Sequence, residues 1–155
     1  MTTTTKPSPS MKRSLSTEHC LRLTRYAHEV TLERGTRLFD EGGRADWFWV
    51  VRYGIVNLDM HIPGRGSPVI ETLGADELVG WSWLFPPYVW QLGAETASPL
   101  RAYEFDAKAV RRILEVDPKL GSAVSQWVGK VLAHRLQATR TRLLEVYAPS
   151  GGGSP

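Results

Sequence analysis

The sequence holds one cysteine, Cys20, and four histidines scattered along 155 residues. One thiol cannot close an intramolecular disulfide, and so few ligands cannot assemble a cysteine-rich zinc site, so no metal is expected and the fold must stand on its own core. Long apolar runs are missing too. None approaches the roughly 20 residues that span a bilayer, and Met1 to Ser10 carries Thr, Ser and Pro without an apolar stretch. These absences predict a soluble, cytoplasmic protein with no membrane partner. Catalytic signatures are equally sparse. There is no Gly-x-Ser-x-Gly elbow and no P-loop, and the clustered ligands of a metal-dependent jelly-roll enzyme are reduced to His61 and Glu71 flanking a hairpin. No catalytic residue is nominated and no enzyme is expected.

What is present is the balance of one ordinary globular domain, with 42% hydrophobic and 23% charged residues. The net charge of +3 is unevenly spread: residues 1–25 and 119–147 each carry +4, and residues 26–118 carry −5. The basic excess therefore sits on an arm and a terminal helix instead of striping a folded body, which argues against nucleic acid as a partner. A nucleic-acid-associated basic dimer is kept only as a minor alternative.

Residues 1–16 are too poor in apolar side chains to fold alone and read as a disordered arm. Thr17 to Arg25 reads as a short helix with Thr17 as its N-cap. From about 27 to 106 the grammar is β, with strands at His28–Leu32, Arg37–Asp40, Trp47–Tyr53, Ile55–His61, Pro68–Leu73 and Arg101–Asp106. Glycine turns such as Glu41-Gly42-Gly43 and Pro63-Gly64-Arg65-Gly66 separate them, as in a sandwich or jelly roll. Residues 107–147 return to helical period, as Ala107–Val116 and then a long helix Gly121–Tyr147 beyond Asp117-Pro118. On that long helix Leu132, Leu136, Thr139, Leu143 and Val146 alternate spacings of four and three, the seam of a two-stranded coiled coil, and predict a homodimer. Residues 148–155 read as a flexible tail. The domain proper is thus 17–147, mainly β with α: a jelly roll, a short helix and a long dimerisation helix.

This layout resembles the cyclic-nucleotide-binding domain, the sensor half of catabolite-activator-type bacterial regulators. The stretch from Gly35 to Asp46, followed by Trp47 to Tyr53, Gly54, Ile55 and Val56, looks like that family's opening signature, and LAHRLQATRTRL, Leu132 to Leu143, is similar to the catabolite activator's dimer helix. The resemblance implies a double-stranded β-helix and places a phosphate-binding cassette at Gly74 to Gln91. Within it, Gly80, Trp81, Ser82, Trp83, Tyr88, Val89 and Trp90, with Thr139 from the long helix, become the candidate ligand-binding residues. The family usually has Gly-Glu where this chain has Gly80-Trp81, the carboxylate taking the ribose hydroxyl, and an arginine near Tyr88 to Trp90 that neutralises the cyclic phosphate. Neither is present here. A buried phosphate without a cation costs several kcal/mol, each lost charge-assisted hydrogen bond about 1.5–3 more, and micromolar affinity amounts to only about 8. Ordinary cyclic AMP binding is therefore not expected, and no cofactor is assigned.

In place of those anchors stand Trp81, Trp83, Phe85, Tyr88 and Trp90. They either make an aromatic pocket that stacks a flat ligand or have collapsed into the cassette and filled it. Thr139 corresponds to a threonine that contacts the purine in the similar helix, yet as a seam residue it needs no ligand. Ser82 can donate to a ligand or cap local backbone. The expectation is a non-enzymatic regulatory or protein-interaction module, with an unidentified partner protein, whose ligand site is remodelled or silent. The alternative is a small-molecule sensor for a non-nucleotide or modified-nucleotide ligand. The sequence stops before the helix-turn-helix that transcription factors of this family carry, so operator binding by that device is not expected.

Overall fold

A computed structural model describes residues 9–147. Among these residues eight strands form two antiparallel four-stranded sheets, the predicted jelly roll. One sheet has the order β1 (Ala27–Leu32), β8 (Leu100–Asp106), β3 (Trp47–Tyr53), β6 (Leu78–Val79). The other runs β2 (Arg37–Phe39), β7 (Gly93–Thr96), β4 (Val56–Asp59), β5 (Val69–Leu73). Strand β3 shows why the first sheet is central. Phe48, Trp49, Val50 and Val51 are all buried, so both faces are covered, one by the roll interior and one by helices. Phe48 stacks on Phe105 at 4.6 Å and on Trp83 at 3.9 Å, while Trp49 faces the other way, towards Phe39 at 5.8 Å. Strands β6 and β7 were not anticipated. The first has two residues, and the second, Gly-Ala-Glu-Thr, lacks the branched apolar alternation that marks a strand.

Among the described residues four α-helices pack on the roll. Helix α3 (Ala107–Val116) leaves β8 with Asp106 as N-cap, its carboxylate accepting from the Ala109 N–H at 3.2 Å. Helix α4 begins at Pro118, not Gly121, and runs to Tyr147. Proline is at home in the first turn, where its missing N–H costs nothing, and Asp117 Oδ1 accepts from the Leu120 N–H at 3.2 Å. Leu120, Val124, Trp127, Val128 and Val131 bury the first half of α4. Beyond it the helix is mostly exposed, but Arg135 and Arg142 still reach the Leu78 and Ile70 carbonyls of the roll.

The predicted arm is corrected over residues 9–16, whereas residues 1–8 and the predicted tail 148–155 lie outside the described residues. Met11–Ser14 forms a short helix α1, with Met11 and Leu15 buried, and the Trp127 indole N–H donates to the Pro9 carbonyl at 3.3 Å. Two apolar side chains four residues apart suffice once a groove on the body receives them. Helix α2 (Thr17–Thr24) is capped by Ser16, whose hydroxyl accepts from the His19 N–H at 3.1 Å, so the cap lies one residue before the predicted Thr17. Among the described residues no helix is long and apolar enough to cross a membrane.

Candidate functional site

The segment after β6 turns sharply at Gly80, makes a single 3₁₀ turn at Ser82–Leu84 and loops back through Tyr88 to Trp90 before β7. Gly80 has φ +93°, and a Cβ there would lie 2.5 Å from the Trp90 ring. Glycine is thus required twice, by the left-handed backbone and by the indole seated on it. The return limb is clamped to the loop before β3: the Trp90 N–H donates to Gly43 O at 2.9 Å, the Gly42 N–H to Trp90 O at 2.8 Å, and the Ala45 N–H to Tyr88 O at 2.8 Å. Val89 sits in this ladder opposite Arg44.

The five aromatic side chains do not converge on one pocket. Trp90, 4% exposed, enters the roll and stacks on Phe39 at 3.9 Å, continuing through Phe39 to Trp49. Trp83 packs on the opposite side of β3, against Phe48, and its indole N–H donates to Gly80 O at 3.1 Å. Tyr88 lies under the Arg111 guanidinium, 4.0 Å from its ring centre, and Arg111 donates to Trp83 O at 2.7 Å, so α3 holds both ends of the turn. Trp81 is half-buried and meets the exposed Phe85 edge-on at 6.1 Å.

Among the described residues, the space under Trp90 is a cavity of about 20 Å³, bordered by Phe39, Leu58, Gly80, Trp81, Trp90 and Arg135 among others. That holds one water molecule; small-molecule pockets usually offer roughly 300–1,000 Å³. Gly80, Trp81, Ser82 and Trp90 line it, while Trp83, Tyr88 and Val89 do not. Nor does Thr139, which is exposed and donates its hydroxyl to Arg135 O at 2.8 Å.

Sequence reasoning missed Arg135, Phe39 and Leu58. Arg135 carries the cation that the cassette itself lacks. Its side chain is 11% exposed, it donates to Leu78 O at 2.6 Å, and its Nε lies 3.6 Å from Glu71 Oε2. Burial pushes the Glu71 carboxyl up despite the attraction of Arg135, and burial pulls the guanidinium down from a starting value high enough to keep it charged. A signal was available: Arg135 follows Trp127 and Val131 at successive spacings of four, so the stripe that docks α4 ends in a buried charge. Beside it, Arg37 grips Asp59 through two bonds of 2.5 and 2.8 Å, which holds the guanidinium well above its ordinary range. That pair ties β2 to β4 and does not border the cavity.

The residues predicted to form a seam lie on the second half of α4. Leu132 is half-buried, and Leu136, Leu143 and Val146 are 61%, 54% and 72% exposed.

Comparison with known proteins agrees with the fold. The family model described as "Cyclic nucleotide-binding domain" matches residues 29–117. The CRP-like cAMP-activated global transcriptional regulator of Mycobacterium tuberculosis is 26% identical over 124 residues, covering 80% of this chain and 54% of the regulator. The chain thus spans about half the length of the curated relatives it matches. Among solved structures, the N-terminal domain of a transcriptional regulator from Streptomyces coelicolor A3(2) superposes with a TM-score of 0.63 at 28% identity, covering 84% of this chain and 88% of that one. The Thermus thermophilus catabolite activator protein gives a TM-score of 0.71 at 18% identity, over 90% and 63%. The c-di-GMP responsive global regulator CLP of Xanthomonas campestris gives 0.75 at 16%, over 84% and 64%. The last two likenesses speak for the fold alone.

Proposed function

This chain belongs to the cyclic nucleotide-binding domain family and is homologous to CRP-like regulators, and from that premise we propose that it is a dimeric, non-enzymatic regulatory module whose nucleotide chamber is filled by its own side chains. The observation that carries this reading is the 20 Å³ cavity under Trp90. A cyclic nucleotide would have to displace Trp90 from its stack on Phe39 and separate Arg135 from Glu71 and the Leu78 carbonyl. The cassette supplies neither a carboxylate at Trp81 nor an arginine near Val89 to offset those losses.

In this reading the output passes through protein contacts. The exposed apolar side chains on the second half of α4 are the pairing surface, and the partner that reads the dimer is a cytoplasmic protein. Titration calorimetry of the full chain against cyclic AMP, cyclic GMP and cyclic di-GMP tests the chamber. No saturable heat is expected at millimolar nucleotide; a dissociation constant in the micromolar range, about 8 kcal/mol, refutes a filled chamber.

A second reading, a sensor whose ligand enters as Trp90 swings out, has one observation in its favour: the buried Arg135 on the cavity wall. An anionic aromatic ligand would take over that cation and the stacking place of the indole. A saturable change in tryptophan fluorescence with one such compound would select this reading over the first.

A further inference from the structure

Away from the roll interior, a groove of about 450 Å³ opens between helices α1 and α2 and the helix-covered face of β3 and β8. It is more than twenty times roomier than the chamber under Trp90 and falls within the roughly 300–1,000 Å³ range of small-molecule sites. Its apolar floor is made by Leu15 and Val51 with the Tyr103 ring, and Leu21, 62% exposed, forms a rim. Such a rim side chain gains by covering apolar substance.

The charged lining is asymmetric. Asp76 is the carboxylate among the lining residues, and it is already engaged: its Oδ2 accepts from the Lys12 N–H at 2.9 Å and its carbonyl from the Met11 N–H at 3.1 Å. Arg52 lies over the Tyr103 ring at 4.9 Å and pairs with Glu29. The Lys12 ammonium is exposed and enters no ion pair among the described residues. An apolar trough with a free ammonium at its edge complements a molecule with an apolar body and one negative end.

We infer that this groove is a second ligand site, for an amphipathic carboxylate whose chain or ring lies on Leu15, Val51, Tyr103 and Leu21 and whose carboxylate meets Lys12. Occupancy has a direct route to the cassette. Asp76 belongs to the loop that leads into β6 and holds the start of α1, while the segment before α1 bonds to Trp127 on α4.

Cys20 lines the groove and is the chain's only thiol, so its alkylation rate reads occupancy locally. Burial and the neighbouring Asp76 push that thiol up, and the reaction is therefore followed at alkaline pH. The probes are octanoate, octanol and octylamine, applied to the full chain. Saturable slowing of alkylation by octanoate is expected, at concentrations at least about tenfold below those at which octanol acts and with no effect of octylamine. In Lys12→Gln and Lys12→Glu, both at an exposed position, octanoate should lose that advantage over octanol. Absence of protection at millimolar octanoate, or equal protection by all three probes, overturns the inference. So does a change of oligomeric state in Leu21→Arg by analytical ultracentrifugation, which would make the groove an interface between copies.

Discussion

If Trp90 is the plug of the chamber, Trp90→Ala should be costly and its cost should be recoverable by a molecule of indole shape. The side chain is 4% exposed, stacks on Phe39 at 3.9 Å and rests on Gly80. An aromatic side chain buries roughly 150–250 Å², which at about 25 cal/mol per Å² corresponds to about 4–6 kcal/mol. Core Trp→Ala replacements cost about 3–5 kcal/mol, so the two routes agree. In a domain of this size about 1 kcal/mol moves Tm by about 2–4 °C, and a fall of about 6–20 °C follows. The assay is thermal unfolding of wild type and variant, with and without indole. An apolar cavity of this kind takes up aromatic molecules, and indole at about ten times its Kd should restore about 1.4 kcal/mol. A loss below about 1 kcal/mol, or no response of the variant to indole, would show that Trp90 does not fill the chamber.

On the α4 seam, Leu136→Arg combined with Leu143→Arg should yield monomers in analytical ultracentrifugation, and an undiminished dimer would place the interface elsewhere. Arg135→Met leaves Glu71 half-buried without its cation and should cost about 3–5 kcal/mol in urea unfolding, whereas Arg135→Met with Glu71→Gln should recover most of it; an additive double variant would deny the coupling. Because burial raises the Glu71 carboxyl, the native chain holds that proton more tightly than the unfolded chain. Its contribution to stability is then fullest below the ordinary glutamate value of 4.5 and declines as pH rises through the native value. Glu71→Gln should consequently gain on wild type as pH rises from about 4 towards 7, and parallel pH profiles of the two proteins would refute the assignment.

The roll was legible because its longer strands are β-rich runs and its turns carry glycines, and the closing helices because their apolar period changes after Asp106. The misses share a non-local cause. Strand β7 begins with Gly93 and Ala94, small residues chosen by their neighbours: Gly93 lies opposite Asp59 and beneath the Arg37–Asp59 pair, where a side chain has no room. Residues 9–16 looked too polar to fold because the receiving surface, including Trp127, is 118 residues from Pro9 in sequence. Pro118 was read as a break between helices when its position suits the start of one. Within the cassette, local sequence showed that aromatics had replaced the charged anchors but not where each would go. Trp83 and Trp90 are separated by β3, and only the alternation of Phe48 and Trp49 sends them to different faces.

The cassette remains wired to the helices although its chamber holds no more than a water. Arg111 on α3 clasps both the Trp83 carbonyl and the Tyr88 ring, and Arg135 on α4 reaches the Leu78 carbonyl at the entrance to the same turn. Coupling between a site and a distant surface requires an element that both ends bias, and the turn from Leu78 to Tyr88 is such an element, gripped by one arginine from each helix. On the proposed reading, a chamber plugged by Trp90 would hold the turn in one arrangement, and α4 with it in the position that exposes Leu136, Leu143 and Val146. On that reading the plug would do for this chain what a bound ligand does in a two-state sensor, selecting one position of α4. It follows that variants which loosen the turn from within, such as Trp90→Ala, should weaken the dimer even though they touch no seam residue, and indole should strengthen it again.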